Sequence, residues 1–286
     1  MMAASEPILE REGWGLIAGN GDFPLLVLEG ARRQGIAMTV IAIREEASPE
    51  LDRLGARVYW VGLGELGRAL ELLRQAGVRQ AVLAGQVKHR QIYSDIPPDP
   101  VLASLLAALP AKNTDALIGA VVRVLEQAGI RLVDSTLFLR PLLATAGVLT
   151  RRAPDAREQA DIEYGRRLAR EIARLDIGQT VVVADRACVA VEAMEGTDET
   201  IRRAARLANG RPLVVVKVSR PGQDMRYDVP VVGPQTIRVM AAAGATALAM
   251  DAGRTLLLNR DEMLALADEA GIAVEATLPP DGETRP

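Results

Sequence analysis

Apolar and polar positions change rhythm twice along this chain. In the first part, short apolar runs stand at Trp14 to Ala18, Ile36 to Ile43, Arg57 to Val61 and Gln80 to Ala84. They lack the period-two alternation of a half-exposed strand, which predicts strands covered on both faces. Polar, glycine-marked stretches separate them. Pro24 suits a first helical position after the turn Gly19-Asn20-Gly21-Asp22, and Gly35 ends that helix. A short helix is expected from Ser48, and a longer one from Glu65 to Ala76 that stops at Gly77. Strand and helix in this order predict a parallel sheet with right-handed crossovers. The fold class is therefore α/β, with an N-terminal parallel-sheet Rossmann-like domain.

The rhythm shifts after Gly85. Val101 to Leu109 predicts a short apolar helix, and Asn113-Thr114-Asp115 a cap cluster. Ile118, Val121, Val122 and Leu125 then recur at i, i+3, i+4 and i+7. Packing on the sheet explains this pair of helices, and so would a seat for a lipid-linked substrate. Pro141, Gly147, Arg151, Arg152 and Pro154 cluster at a boundary, dividing the chain into domains 1–140 and 141–286.

The second half predicts a mixed-sheet α/β C-terminal domain. A charged helix runs from Arg157 to Leu175, and a hairpin, Val181 to Ala184 with Cys188 to Ala193, turns at Asp185-Arg186. A helix from Asp198 to Ala208 and a strand at Leu213 follow. Strands are expected near Ala247 and Leu256 around Asp251 to Arg254, then a helix from Asp261 and a last strand at Ile272. Residues 1–13 and the tail from Pro279 are expected to be loosely held.

Within this half, Leu213 to Thr236 is the most informative stretch. Lys217 interrupts the run Val214, Val215, Val216 and Val218, and a lysine there must find a partner or lean toward water. A Pro-Gly loop leads to Tyr227-Asp228-Val229-Pro230, an acid in a segment expected to be extended before proline. Thr236 is expected to cap a helix beginning at Ile237.

Composition narrows the chemistry. The net charge is −3, which argues against a general nucleic-acid binder with its basic surface. Cys188 is the single cysteine and His89 the single histidine, so an internal disulfide is ruled out and a histidine-cluster metal site fits poorly. Divalent-metal chemistry would rest on carboxylates, which suits Mg²⁺. No secretory leader is expected, and the longest apolar run, Val239 to Met250, is too short to span a bilayer. A cytoplasmic protein is expected, one that could touch the inner face of the inner membrane.

Three segments carry candidate chemistry. In Gly19-Asn20-Gly21-Asp22, glycines would let backbone approach a phosphate at a helix N-terminus, although a structural tight turn reads equally well. Pro24 replaces the third glycine of a dinucleotide fingerprint, while Glu45 and Glu46 stand where a ribose-binding acid would sit. Gly85-Gln86-Val87-Lys88-His89-Arg90 follows a strand at its carboxyl end, where open α/β sheets bind ligands; a solvated polar loop is the alternative. Glu192, Glu195 and Asp228 are the best oxygen ligands for Mg²⁺, and Thr197 or Asp198 would cap the next helix.

Several segments resemble the LpxI family in order and spacing: GLIAGNGDFP, AGQV, KNTDALI, LDIGQTVVV, VEAMEGTDETIRRA, VVVKVSRPGQDMRYDVPVVGPQTI and AGRTLLLNR. That family comprises UDP-2,3-diacylglucosamine pyrophosphatases of lipid A biosynthesis. The resemblance implies Mg²⁺-dependent hydrolysis giving UMP and 2,3-diacylglucosamine 1-phosphate, with the site between two domains. It also implies that Asp228 is the essential acid, with water attacking the phosphorus nearer the sugar. Lys217 is expected beside it in catalysis. Substrate contacts are expected from Gly19, Asn20, Gly21, Asp22, Gly85, Gln86, Val87, Thr114, Asp115, Gln179, Gly196, Thr197, Asp198 and Thr236. Metal ligation is expected from Asp228, Glu192 and Glu195. The expected partners are a nucleotide-linked lipid substrate and, by peripheral contact, the inner-membrane surface, with no nucleic acid; a homodimer is compatible with this reading. A nicotinamide-dependent oxidoreductase and a non-catalytic nucleotide-sugar binding protein are the rivals.

Overall fold

A computed structural model of the chain describes residues 13–54, 57–86, 97–109 and 114–280. The expectations for residues 1–12, Val87 to Arg90, Asn113 and the tail after Pro280 lie outside these residues. The chain divides into two compact units, Met1–Leu139 with Met225–Tyr227, and Arg140–Asp224 with Asp228–Pro286.

The first unit runs β1 (Trp14–Ala18), α1 (Phe23–Arg33), β2 (Met38–Ile43), a 3-10 helix (Pro49–Leu54), β3 (Arg57–Val61), α2 (Leu66–Gln75) and β4 (Gln80–Ala84). Then come α3 (Pro100–Ala107), α4 (Thr114–Gln127) and β5 (Arg131–Leu132). The sheet order is β3-β2-β1-β4-β5, and every pairing is parallel. The order reverses between β1 and β4, the place where sheets of this kind open a crevice at their strand ends. Helix α4 uses Val122 and Leu125, with Ile118 and Val121 at the margin, to pack against Leu73, Ile41 and Ile130. Met225–Tyr227 belongs here because Ser135 holds it. The Ser135 N–H donates to Met225 O at 2.9 Å, the Ser135 hydroxyl reaches Arg226 O at 2.6 Å, and Tyr227 packs on the same core.

The second unit comprises β6 (Gly147–Val148), α5 (Ala156–Arg174), β7 (Thr180–Ala184), β8 (Ala187–Val191), α6 (Thr197–Ala208) and β9 (Leu213–Lys217). It continues through β10 (Val231–Val232), α7 (Pro234–Ala242), β11 (Ala245–Asp251), β12 (Leu256–Leu257), α8 (Arg260–Glu269) and β13 (Ala273–Thr277). Its main sheet, β6-β13-β11-β9-β7-β8, is parallel from β13 through β9 and antiparallel beyond. Alternation along β9 fills both faces. Val214 and Val216 meet Ile162 and Ala169 of α5, while Leu213 and Val215 meet Ile201 and Ala204 of α6. The β7–β8 turn places Asp185 and Arg186 at φ 51 and 58, and both N–H groups donate to the Asp161 carboxylate.

Two expected helix caps are corrected. Thr236 lies inside α7, because Pro234 takes the first helical position and Gly233 the cap. Helix α6 is preceded by Gly196 at φ 81, so neither Thr197 nor Asp198 caps it. The strands expected near Ala247 and Leu256 are both present, and the latter pairs in parallel with Val231–Val232 in a separate two-stranded sheet. Asp228 N–H closes a turn on Asp224 O at 2.9 Å, directly before Val229 and Pro230.

Candidate active site

At the carboxyl ends of β1 and β4 the two glycine turns close on each other. Asn20 N–H donates to Gln86 O at 2.8 Å, and Gln86 N–H donates to Asn20 O at 3.1 Å. A Cβ on Gly19 would meet Gln86 O at 2.7 Å, and one on Gly85 would meet Asn20 O at the same distance. These glycines permit backbone to approach backbone. Gly21, at φ +91, has no described atom within 4 Å of where its Cβ would stand. Asn20 Nδ2 reaches Glu46 O at 3.2 Å, and Gln86 is exposed. Asp22 precedes α1 without a side-chain cap bond. Thr114 and Asp115 open α4; their side chains lie outside the described ones.

The second unit gathers its polar groups at the end of β9. Lys217 is buried, and alternation points it to the face that carries α6. Its Nζ donates to Thr197 Oγ1 at 2.8 Å, and the Thr197 hydroxyl donates to Glu192 Oε1 at 2.8 Å. With that proton committed, the 3.3 Å contact between the Thr180 and Thr197 hydroxyls has Thr180 as donor. Glu192 Oε2 accepts from Gln179 N–H at 3.3 Å. Thr236 Oγ1 donates to Asp198 Oδ1 at 3.2 Å. Burial pushes the Lys217 ammonium below the usual lysine value, opposed by the carboxylates of Glu192, Asp198 and Asp228. The result is a buried amine held by hydroxyl and acid, next to the start of a twelve-residue helix.

The three acids expected at a metal do not gather. Glu195 turns outward to Arg203 at 2.5 Å and accepts from Ala193 N–H at 3.1 Å. Its own backbone N–H, followed by Arg203, holds its carboxyl below the usual range. Glu192 is occupied by Thr197 and Gln179. Among the described residues no group of three or more His, Cys, Asp or Glu side chains could hold a metal ion. Asp228 is partly exposed and lies 4.0 Å from Arg220, which also pairs with Asp176 at 2.8 Å.

Asp251, Arg170 and Ser219 form a buried polar group that sequence reasoning missed. Its trace in the sequence is an acid ending an apolar strand, and Arg166 and Arg170 one turn apart on a charged helix. Nothing in the pattern joins these to Ser219, since the pairing spans 32 and 81 residues.

Two α/β units, one on a parallel sheet and one on a mixed sheet with a buried lysine at a helix start, define the class as a two-unit α/β protein. Family models for the LpxI N-terminal and C-terminal domains match residues 14–142 and 145–275. The chain belongs to the LpxI family. It is 37% identical over 272 residues to the UDP-2,3-diacylglucosamine pyrophosphatase LpxI of Caulobacter vibrioides, covering 91% of this chain and 95% of that one. Among solved structures, the biotin carboxylase domain of Hydrogenobacter thermophilus 2-oxoglutarate carboxylase aligns with 70% of this chain and 42% of its own. Its identity is 15% and its TM-score 0.27. The biotin carboxylase subunit of pyruvate carboxylase gives 16% and 0.25, over 69% and 42%. Scores this low support no structural parallel.

Proposed function

We propose that this chain hydrolyses UDP-2,3-diacylglucosamine to UMP and 2,3-diacylglucosamine 1-phosphate. Support comes from its family and from one observation above all, the buried Lys217 bonded to Thr197 at the start of α6. Hydrolysis of a diphosphate needs charge neutralised on the attacked and departing phosphates. A cation with its hydration already removed, beside helix N–H groups, is arranged for that. In this reading water attacks the phosphorus nearer the sugar, the anhydride P–O bond breaks, and UMP carries away the bridging oxygen. Lys217 and the start of α6 hold the phosphates, and Thr197 and Glu192 fix the ammonium's position. Mg²⁺ would be held by Asp228 together with the substrate's phosphate oxygens. It would supply charge neutralisation and an activated water when bound.

The acyl chains would lie in the groove of about 630 Å³ between α3 and α4, lined by Val101, Leu105, Ala120 and Val124. Ile118 and Val121 face the core instead. Among the described residues no helix is long and apolar enough to cross a membrane, so the lipid half would be met by peripheral contact. The test is incubation with UDP-2,3-diacylglucosamine, with Mg²⁺ or with a chelator, and separation of the products. UMP and the sugar 1-phosphate, formed in Mg²⁺ only, are expected. Tight binding without products would leave a non-catalytic binding protein, and turnover in the chelator would remove the metal.

A further inference from the structure

Ser219, two residues after Lys217, has each of its polar groups held by one buried ion pair. Asp251 Oδ2 accepts from Ser219 N–H at 2.6 Å and from its hydroxyl at 2.7 Å. Arg170 Nη1 donates to Ser219 O at 3.3 Å. The same guanidinium grips Asp251 with two bonds, 2.9 Å to Oδ2 and 2.7 Å to Oδ1. Asp251 has no exposed surface, and Arg166 adds a contact to Oδ1 at 3.4 Å and another to Met250 O at 3.1 Å.

From this point the loop builds outward to Asp228. Arg220 N–H donates to Gln223 Oε1 at 2.8 Å, and Gln223 N–H returns to Arg220 O at 3.1 Å. Arg220 extends between Asp176 and Asp228. Asp228 N–H then closes on Asp224 O. A buried ion pair is a weak stability device, since an apolar pair of the same volume often serves as well or better. Directed bonds that fix one serine's backbone and side chain are what positioning requires.

We propose that the Arg170–Asp251 pair is the positioning device of the Lys217-to-Asp228 segment, acting through Ser219, for the reaction proposed above, on which this inference rests. Ser219 touches no substrate in this account. It fixes the start of the loop that leads from the end of β9 toward Asp228.

The test uses the full chain with Ser219→Ala, which removes one hydroxyl, and Ser219→Thr, which keeps it. Ser219→Ala should stay folded, lower kcat about tenfold or more and leave KM within about twofold. Amide exchange over 220–228 should quicken, and Ser219→Thr should restore most of kcat. If Ser219→Ala does not fold, Arg170→Lys, which keeps the charge but loses the fork, should give the same split. Unchanged kcat in a folded variant overturns the proposal, as does a fall in kcat with no faster exchange over 220–228. If the wild-type chain itself forms no UMP, the functional reading fails. The exchange measurement then decides alone, and unchanged protection overturns the clamp.

Discussion

Lys217 Nζ donates to Thr197 Oγ1 at 2.8 Å, joining the end of β9 to the first residue of α6. The bond makes a buried ammonium tolerable and aims it along the helix start. Lys217→Met keeps much of the volume and removes the charge. The Glu192 carboxylate keeps its bonds from Thr197 and Gln179, so the fold is expected to survive. Turnover should fall by about two to three orders of magnitude, as when a transition-state donor is lost. Steady-state rates with a matched thermal melt check this; a folded variant within tenfold of wild type removes Lys217 from the chemistry.

The two turn glycines should separate by experiment. Gly19→Ala places a methyl 2.7 Å from Gln86 O, a backbone atom that must shift to admit it. It should lower the denaturant midpoint clearly. Gly21→Ala meets no atom within 4 Å and suffers only the strain of φ +91, about 1–2 kcal/mol. Gly21→Val should then raise KM in a folded protein, because a side chain would fill the approach to the turn. Unchanged kinetics in that variant would leave Gly21 a purely structural turn.

Much of the frame was legible because its signals are local. β1, β3 and β4 fall on Trp14–Ala18, Arg57–Val61 and Gln80–Ala84, where apolar runs are bounded by glycine or polar turns. Asp185-Arg186 declared itself as a hairpin turn. The oddity of Lys217 was also legible, as a charge needing a partner. Its partner was not, because Thr197 is twenty residues earlier and looked like a helix cap. Thr236 was misplaced for a related reason, since both Thr236 and Pro234 suit a helix start and proline's fixed φ decided the matter. The parallel β10–β12 pair left no local mark, and the Ser219 clamp is assembled wholly from distant residues.

Acid should remove the contribution of the Arg152–Glu158 pair only below the ordinary carboxylate range. Arg152 donates to Glu158 through two bonds of 2.7 and 2.8 Å, and Glu158 completes a capping box with Asp155. Burial opposes the Glu158 charge, but bonds from Arg152 and the Asp155 backbone, with the Arg152 charge, outweigh it and bring its pKa from 4.5 to about 2. The folded value lies below the unfolded one, so its contribution is complete above pH 4.5 and is lost as pH falls toward 2. The shift corresponds to ~3 kcal/mol at neutral pH. Glu158→Gln should lose that amount at pH 7 and much less near pH 2. Urea unfolding at the two pH values measures it; an equal loss at both would show that packing, not charge, matters there.

Asp228 offers the decisive test of the site. It follows the turn closed by its own N–H on Asp224 O, and Arg220 stands 4.0 Å away, so its direction is set by the loop. Asparagine has nearly the same shape but lacks the charge that a divalent cation needs. If Asp228 holds Mg²⁺ with the diphosphate, Asp228→Asn should fold normally, still bind the nucleotide lipid and lose about three orders of turnover. That loss corresponds to roughly 4 kcal/mol of transition-state stabilisation. If the acid only braces the loop, the substitution should cost about 1 kcal/mol of stability and leave kcat nearly intact. The two outcomes are separated by measuring kcat at saturating Mg²⁺ beside the melting curve. Turnover within tenfold of wild type there would falsify the catalytic assignment.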